Sequence, residues 1–204
     1  ITQYQEQQQP TLELGILPLS APPVVIGAGP AGLLAALQLA EYGYKPLLLE
    51  RGKPVAQRVQ DVQRFWQTGE FNPASNVQFG EGGAGTFSDG KLTTRVGDPL
   101  CGFVTDAFLK HGAPADIAWR QKPHVGTDLL RGIIRSIRQE IIALGGEVRF
   151  NTALTGLKIE NGALAGVETT AGDFACEQLI LAVGHSARDT FSLLAQTGLA
   201  MERK

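Results

Sequence analysis

The residues best placed to do chemistry are three glycines and one acid. Gly27-Ala28-Gly29-Pro30-Ala31-Gly32 follows a short apolar run, Val24-Val25-Ile26, and leads straight into an apolar helical pattern. In such a turn the first glycine permits the tight exit from the strand. The second lets a pyrophosphate approach bare backbone, and the third lets the helix lie close on the strand. The helix N-terminus adds free N–H groups and partial positive charge where phosphates sit. A second apolar run, Pro46-Leu47-Leu48-Leu49, ends in Glu50, whose carboxylate suits ribose hydroxyls. Strand, glycine turn, helix, strand and acid in this order predict a dinucleotide site. Residues 79–91 then place Gly80, Gly82, Gly83, Gly85 and Gly90 around Phe79 and Phe87. Two aromatic side chains spaced to bury favour a backbone wrapped against a flat ligand over a loose linker.

Composition narrows the remaining choices. The 204-residue chain is 43% hydrophobic and carries a formal net charge of −2, which is enough for a packed core and gives no electrostatic reason for a nucleic acid or anionic membrane partner. Cys101 and Cys176 lie far apart and form no CxxC, so neither a zinc cluster nor a vicinal redox disulfide is expected. Free thiols, no signal peptide and no membrane-length apolar run make the cytoplasm the expected compartment. No metal-ligand spacing and no Ser–His–Asp nucleophile pattern is present in the sequence.

The elements that must hold these residues follow from periodicity. Residues 1–22 are rich in glutamine and proline and read as a tether or the remnant of an upstream module; the chain opens on Ile1, consistent with a piece of a longer protein. Residues 23–204 read as one α/β domain. After the motif helix, Gly43 is expected as a left-handed cap. Val55, Val59, Val62 and Trp66 share a helical face, with Arg58 and Arg64 off it and able to reach phosphate or solvent. Residues 71–125 are an irregular insertion, with a partly helical stretch around Phe103, Ala107 and Phe108. Thr127 is the expected N-cap of a long crossover helix striped by Leu130, Ile133, Ile134, Ile137, Ile141 and Leu144. That helix leads to a third parallel strand, residues 147–150. The period then changes to two for an antiparallel meander over 154–160, 163–169 and 173–176. Residues 178–184 read as another buried strand, and Ser186 with Asp189 as a capping-box-like pair for a last helix ending near Gly198.

This order resembles the glutathione-reductase-like flavoproteins with two dinucleotide-binding domains. The motif at 27–32 together with Glu50-Arg51-Gly52 is similar to the FAD-type variant of the fingerprint, and Ala182-Val183-Gly184 stands where that class carries its second motif. Residues 79–92, 123–128 and 184–191 resemble, more narrowly, a bacterial family described only as uncharacterised FAD-dependent dehydrogenases. The resemblance implies a Rossmann-like FAD/NAD(P)-binding parallel sheet with helices on its faces and a three-stranded β-meander, here as an incomplete domain. It implies FAD, with Gly27, Gly29, Pro30, Ala31 and Gly32 around the pyrophosphate. Glu50 would lie on the adenosine ribose, Arg51 beside the adenine and Leu154 against it through the backbone. Gly82, Gly83, Ala84 and Gly85 would follow the ribityl or isoalloxazine side, with Ala182 and Gly184 closing the pocket. The implied partners are an unknown small-molecule substrate and the rest of the polypeptide, which would supply the substrate domain and last sheet strand.

In such an enzyme the flavin carries the chemistry and the protein tunes it. Lys91, Asp89, His124 and His185 are the candidate tuners, with His111 a weaker one. The expected activity is an FAD-dependent oxidoreductase, a dehydrogenase with NAD(P)H as a candidate electron donor. Two alternatives use the same residues: an NAD-dependent dehydrogenase, for which Glu50 would disfavour a 2′-phosphate, and a non-catalytic FAD-binding structural or redox-sensing module.

Overall fold

Side-chain alternation along two three-residue strands sets the layers. The protein is seen in a computed structural model that describes residues 18–87, 98, 100–119 and 125–202. Val24–Ile26 (β1) and Leu47–Leu49 (β2) are buried at every position, and successive side chains point to opposite faces. Val25 and Leu48 face one layer; Val24, Ile26, Leu47 and Leu49 face another. Continuous apolar strands of this kind belong in the middle of a parallel sheet covered on both sides. Glu147–Arg149 (β3) and Leu179–Leu181 (β7) flank them in the order β3-β2-β1-β7, all parallel.

Helices cover the first face. Pro30–Glu41 (α1) opens on proline, whose fixed φ and missing N–H suit a first turn, and is followed by Gly43 in the left-handed region at φ +82. Thr127–Ala143 (α4) buries Leu130, Ile133, Ile134, Ile137 and Ile141 against it, the expected stripe without Leu144, which is 41% exposed. Burying each such side chain contributes about 1.5–3 kcal/mol. Cys101–Lys110 (α3) adds Ala107 and Phe108 to the same core. The opposite face is covered by an antiparallel meander of Leu154–Glu160 (β4), Ala163–Thr169 (β5) and Gly172–Ala175 (β6), whose Leu154, Val167 and Leu157 pack on Val24 and Leu49. The last helix among the described residues is Arg188–Gln196 (α5), which stops two residues short of Gly198 at φ +79.

Several local expectations differ. Gly126, not Thr127, is the N-cap of α4, and no side chain caps that turn. Strand β7 is half exposed, with Ile180 and Leu181 each at 38%, because it is the sheet edge rather than an interior strand. Val55–Thr68 (α2) buries Val55, Arg58 and Val62; from Gln63 onward every residue is exposed, and Trp66 lies edge-on to Phe87 at 6.5 Å instead of in the core. Residues 1–17 of the expected tether lie outside the described residues.

One buried histidine makes stability pH-dependent. His111, just past α3, places Nδ1 2.9 Å from Ser136 Oγ and Nε2 3.1 Å from Glu140, while Lys110 bridges Glu41 and Glu140. Desolvation holds the imidazole below its ordinary value of 6.5, outweighing the upward pull of Glu140. The unfolded chain therefore binds this proton more tightly, and stability is lost as pH falls from 6.5 toward the lower folded value. Urea unfolding should show a lower midpoint at about pH 5.5 than at about pH 7.5, with a flatter dependence in His111→Gln.

Candidate nucleotide-binding site

The glycine turn is built by three different constraints. Gly27 sits at φ +99, and its N–H donates to the Leu49 carbonyl at 2.7 Å. A Cβ there would stand 2.5 Å from the Ala182 carbonyl oxygen, so both conformation and contact require glycine. At Gly32 a Cβ would fall 1.8 Å from the Gly27 carbonyl oxygen, which is how α1 lies tight on β1. Gly29 is different: it is the N-cap of α1, and a Cβ on it would meet nothing within 4 Å. It faces a cleft of about 470 Å³ also lined by Gly27, Pro30 and Ala31, and no side chain caps the first turn of α1.

Glu50 fixes this turn from the side. It is 4% exposed; one carboxylate oxygen accepts the Ala28 N–H and the other the Gly52 N–H, each at 2.7 Å. It also lines the cleft, and each oxygen keeps a second lone pair. Its role at the end of β2 is thus structural as well as ligand-facing. Glu50→Ala should lose about 1–3 kcal/mol for each N–H left without an acceptor, read by urea unfolding without added nucleotide. A stability equal to wild type would contradict this anchoring.

The other walls come from distant parts of the chain. Leu154, at the start of β4, and Ala182 and Gly184, after β7, line the cleft, with Gly184 at φ +75. Arg51 also lines it but is committed across it: Nη2 lies 2.8 Å from Asp189 and 3.3 Å from Thr190 Oγ1, and the guanidinium stands over Phe79. Burial pushes the Asp189 carboxyl upward, but the hydrogen bonds from Arg51 and the Thr190 backbone prevail and hold it below the ordinary carboxylate value. The capping box expected of Ser186 and Asp189 is therefore absent. Ala187 is the N-cap of α5 without a side-chain cap, and Ser186 Oγ lies 3.1 Å from His185 Nε2.

The second glycine stretch does reach the cleft. Gly83 and Ala84 line it, and a Cβ on Gly83 would stand 3.0 Å from Pro30 Cδ. Gly82 lies behind them: its N–H donates to the Ala28 carbonyl at 2.7 Å, and a Cβ would strike Ile134 at 2.4 Å. Gly85 is half-buried and, like Gly32, is not among the lining residues. His185 lines the cleft, whereas Lys91, Asp89 and His124 lie outside the described residues.

Two buried charges escaped the sequence reading. Arg58 is neither solvated nor turned to phosphate; it is fully buried, and desolvation lowers its pKa to about 10 against the fields of Glu50 and Glu81. Glu81, also fully buried, accepts the Val55 N–H at 2.6 Å and faces Arg138 Nε at 3.3 Å. Burial raises its pKa, against the downward pull of the Val55 hydrogen bond and Arg138. The usable signal was spacing: Val55, Arg58 and Val62 form an inward stripe with an arginine inside it.

Neither cysteine pairs with the other. Cys176 is buried beneath the meander, its thiol pushed up by desolvation, and Cys101 opens α3. Among the described residues, no group of three or more His, Cys, Asp or Glu could hold a metal ion, and no helix is long and apolar enough to cross a membrane.

The chain is 50% identical over 194 residues to an uncharacterised protein of Clostridium beijerinckii, covering 95% of this chain and 36% of that one. It is 28% identical over 146 residues to the digeranylgeranylglycerophospholipid reductase of Methanocella arvoryzae, covering 71% and 33% respectively. The chain thus spans about a third of the length of these curated relatives. Among solved structures, THI4 of Thermovibrio ammonificans superposes with a TM-score of 0.54 at 16% identity, covering 88% of this chain and 64% of that one. Glycine oxidase of Bacillus cereus gives 0.52 at 16%, covering 87% and 59%. These likenesses establish the fold, a Rossmann-like parallel sheet with an added antiparallel meander. Residues 22–192 match the family described as pyridine nucleotide-disulphide oxidoreductase, and the chain belongs to that family.

Proposed function

We propose that this chain is the FAD-binding portion of a cytoplasmic oxidoreductase, a dehydrogenase acting on a small-molecule substrate. The observation that carries this reading is Gly29: a bare backbone position at an uncapped helix N-terminus, with open space where its side chain would be. On this reading residues 23–204 are the nucleotide-binding domain, and residues 71–125 are an insertion that brings Gly83 and Ala84 to the cofactor. The rest of the polypeptide supplies the substrate region.

FAD bound in the cleft supplies hydride and electron transfer at its isoalloxazine ring. The chain's own residues bind and orient it. The α1 N-terminus receives the diphosphate beside Gly27, Gly29, Pro30 and Ala31, with Gly32 keeping that terminus tight on β1. The free lone pairs of Glu50 accept ribose hydroxyls, and Leu154 borders the adenosine. Arg51, tied to Asp189, closes the adenine side by joining the end of β2 to α5. Gly83 and Ala84 form the wall leading toward the ring, backed by Gly82 and followed along the loop by Gly85, and Ala182 and Gly184 close the opposite side. His185, at the cleft beside Ser186, is the described residue best placed to move a proton there.

Anaerobic addition of NADH or NADPH to the complete protein tests the redox part. Loss of the oxidised flavin absorbance with either donor is the expected result. Flavin that stays oxidised with both contradicts a nicotinamide donor.

A further inference from the structure

Resting on the nucleotide reading above, we propose that Arg58 is a positioning residue for diphosphate recognition, although it never touches the cleft. Its guanidinium is a hub for carbonyl groups. Nε donates to Asn76 O at 2.8 Å, Nη2 to Val77 O at 2.8 Å, and Nη1 to Glu81 O at 2.7 Å and Gly83 O at 2.8 Å, with Gly80 O at 3.4 Å. The stem is gripped as well, since a Cβ on Gly80 would stand 2.5 Å from Arg58 Cδ. Phe87 lies under the guanidinium at 4.7 Å from ring centroid to Cζ. A buried cation met by carbonyl dipoles imposes an orientation on every peptide that serves it.

That orientation has a consequence on the other side of each peptide. The peptide bonds of the described residues are trans, so a C=O aimed at Arg58 sends the N–H of the next residue the opposite way. Gly80 O turns to Arg58, and the Glu81 N–H reaches Lys53 O at 3.2 Å. Glu81 O turns to Arg58, and the Gly82 N–H reaches Ala28 O inside the glycine motif. Gly83 O turns to Arg58, which sends the Ala84 N–H away from the buried side, at a position that lines the cleft. Gly83 itself lies 3.5 Å, measured from its added Cβ, from Gly29 Cα, the backbone proposed to meet the diphosphate. Arg58 thus holds the loop in place before ligand arrives and aims one N–H toward an anion. Such preorganisation raises affinity by removing the ordering cost from the binding step.

The test uses the complete protein freed of cofactor, with ADP and adenosine as probes in calorimetric titrations. Arg58→Lys keeps the charge and much of the stem but loses the planar five-donor fork. The expected result is ADP affinity reduced about tenfold with adenosine affinity unchanged, because the defect lies at the diphosphate. A variant with the wild-type ratio of ADP to adenosine affinity overturns the inference while leaving the nucleotide site standing. Wild-type protein that binds no ADP overturns both. Hydrogen exchange on the wild type decides the matter independently of how Arg58→Lys folds. Amides of residues 81–83 should be protected without ADP, and protection that arises only on adding ADP overturns the inference.

Discussion

The Gly29→Val protein is expected to fold like the wild type and to retain no nucleotide. Gly29 has φ −70 and ψ −178, an extended conformation that valine adopts readily, and a Cβ there touches nothing within 4 Å. The stability change should therefore be about 1 kcal/mol or less, the cost of a poorer N-cap residue where no side-chain cap is lost. The branched side chain fills the space in front of the α1 N-terminus, where the diphosphate has to sit. ADP and FAD affinity should fall on the order of 100-fold or more, since the ligand can neither reach the N–H groups nor move sideways past Pro30. Titration of the refolded protein together with a urea curve separates the two effects. Wild-type affinity in this variant would remove the reason for placing a diphosphate here.

Three residues further on, a smaller substitution should have the reverse outcome. Gly32→Ala adds one methyl group, yet its Cβ would lie 1.8 Å from the Gly27 carbonyl oxygen and 3.3 Å from Ala182 Cβ. The first obstacle is backbone, held by the Gly27 N–H bond to Leu49 and the Ala182 N–H bond to Ile26, so no rotamer change relieves it. Strand β1 and helix α1 must separate in the most buried part of the sheet. Overpacking of this kind costs about 1–3 kcal/mol where side chains yield, and more where backbone must move. Urea unfolding should show a loss of about 3 kcal/mol or more, with poor soluble yield. A Gly32→Ala protein of wild-type stability would mean that α1 lies further from β1 than described.

Much of this site could be read from the sequence because its determinants are local. The glycine motif, the apolar strands β1 and β2, and the stripe on α4 each declare themselves within a dozen residues. Exposure of β7 could not be read in the same way, because Leu179-Ile180-Leu181 looks like an interior strand until the sheet order places it at the edge. The roles of Arg51, Asp189 and Arg58 were hidden for a related reason. Each is a charged residue whose partner lies far along the chain, and a solvated surface is the ordinary reading of such a residue in isolation. Glu50 was half legible: its place at the end of β2 pointed to ribose, but its two backbone hydrogen bonds depend on how the motif folds back toward Gly52. The resemblance to FAD-dependent dehydrogenases brought Gly82 and Gly85 to the cofactor together with Gly83 and Ala84. The loop geometry instead separates the two that line the cleft from the two that do not.

Identification of the nucleotide carried by the complete wild-type protein tests the central claim most directly. Denaturing the purified protein and analysing the released small molecule by absorbance and mass should give FAD in an amount equal to the protein. Release of NAD instead, or of no nucleotide from protein that also fails to take up added FAD, would contradict it.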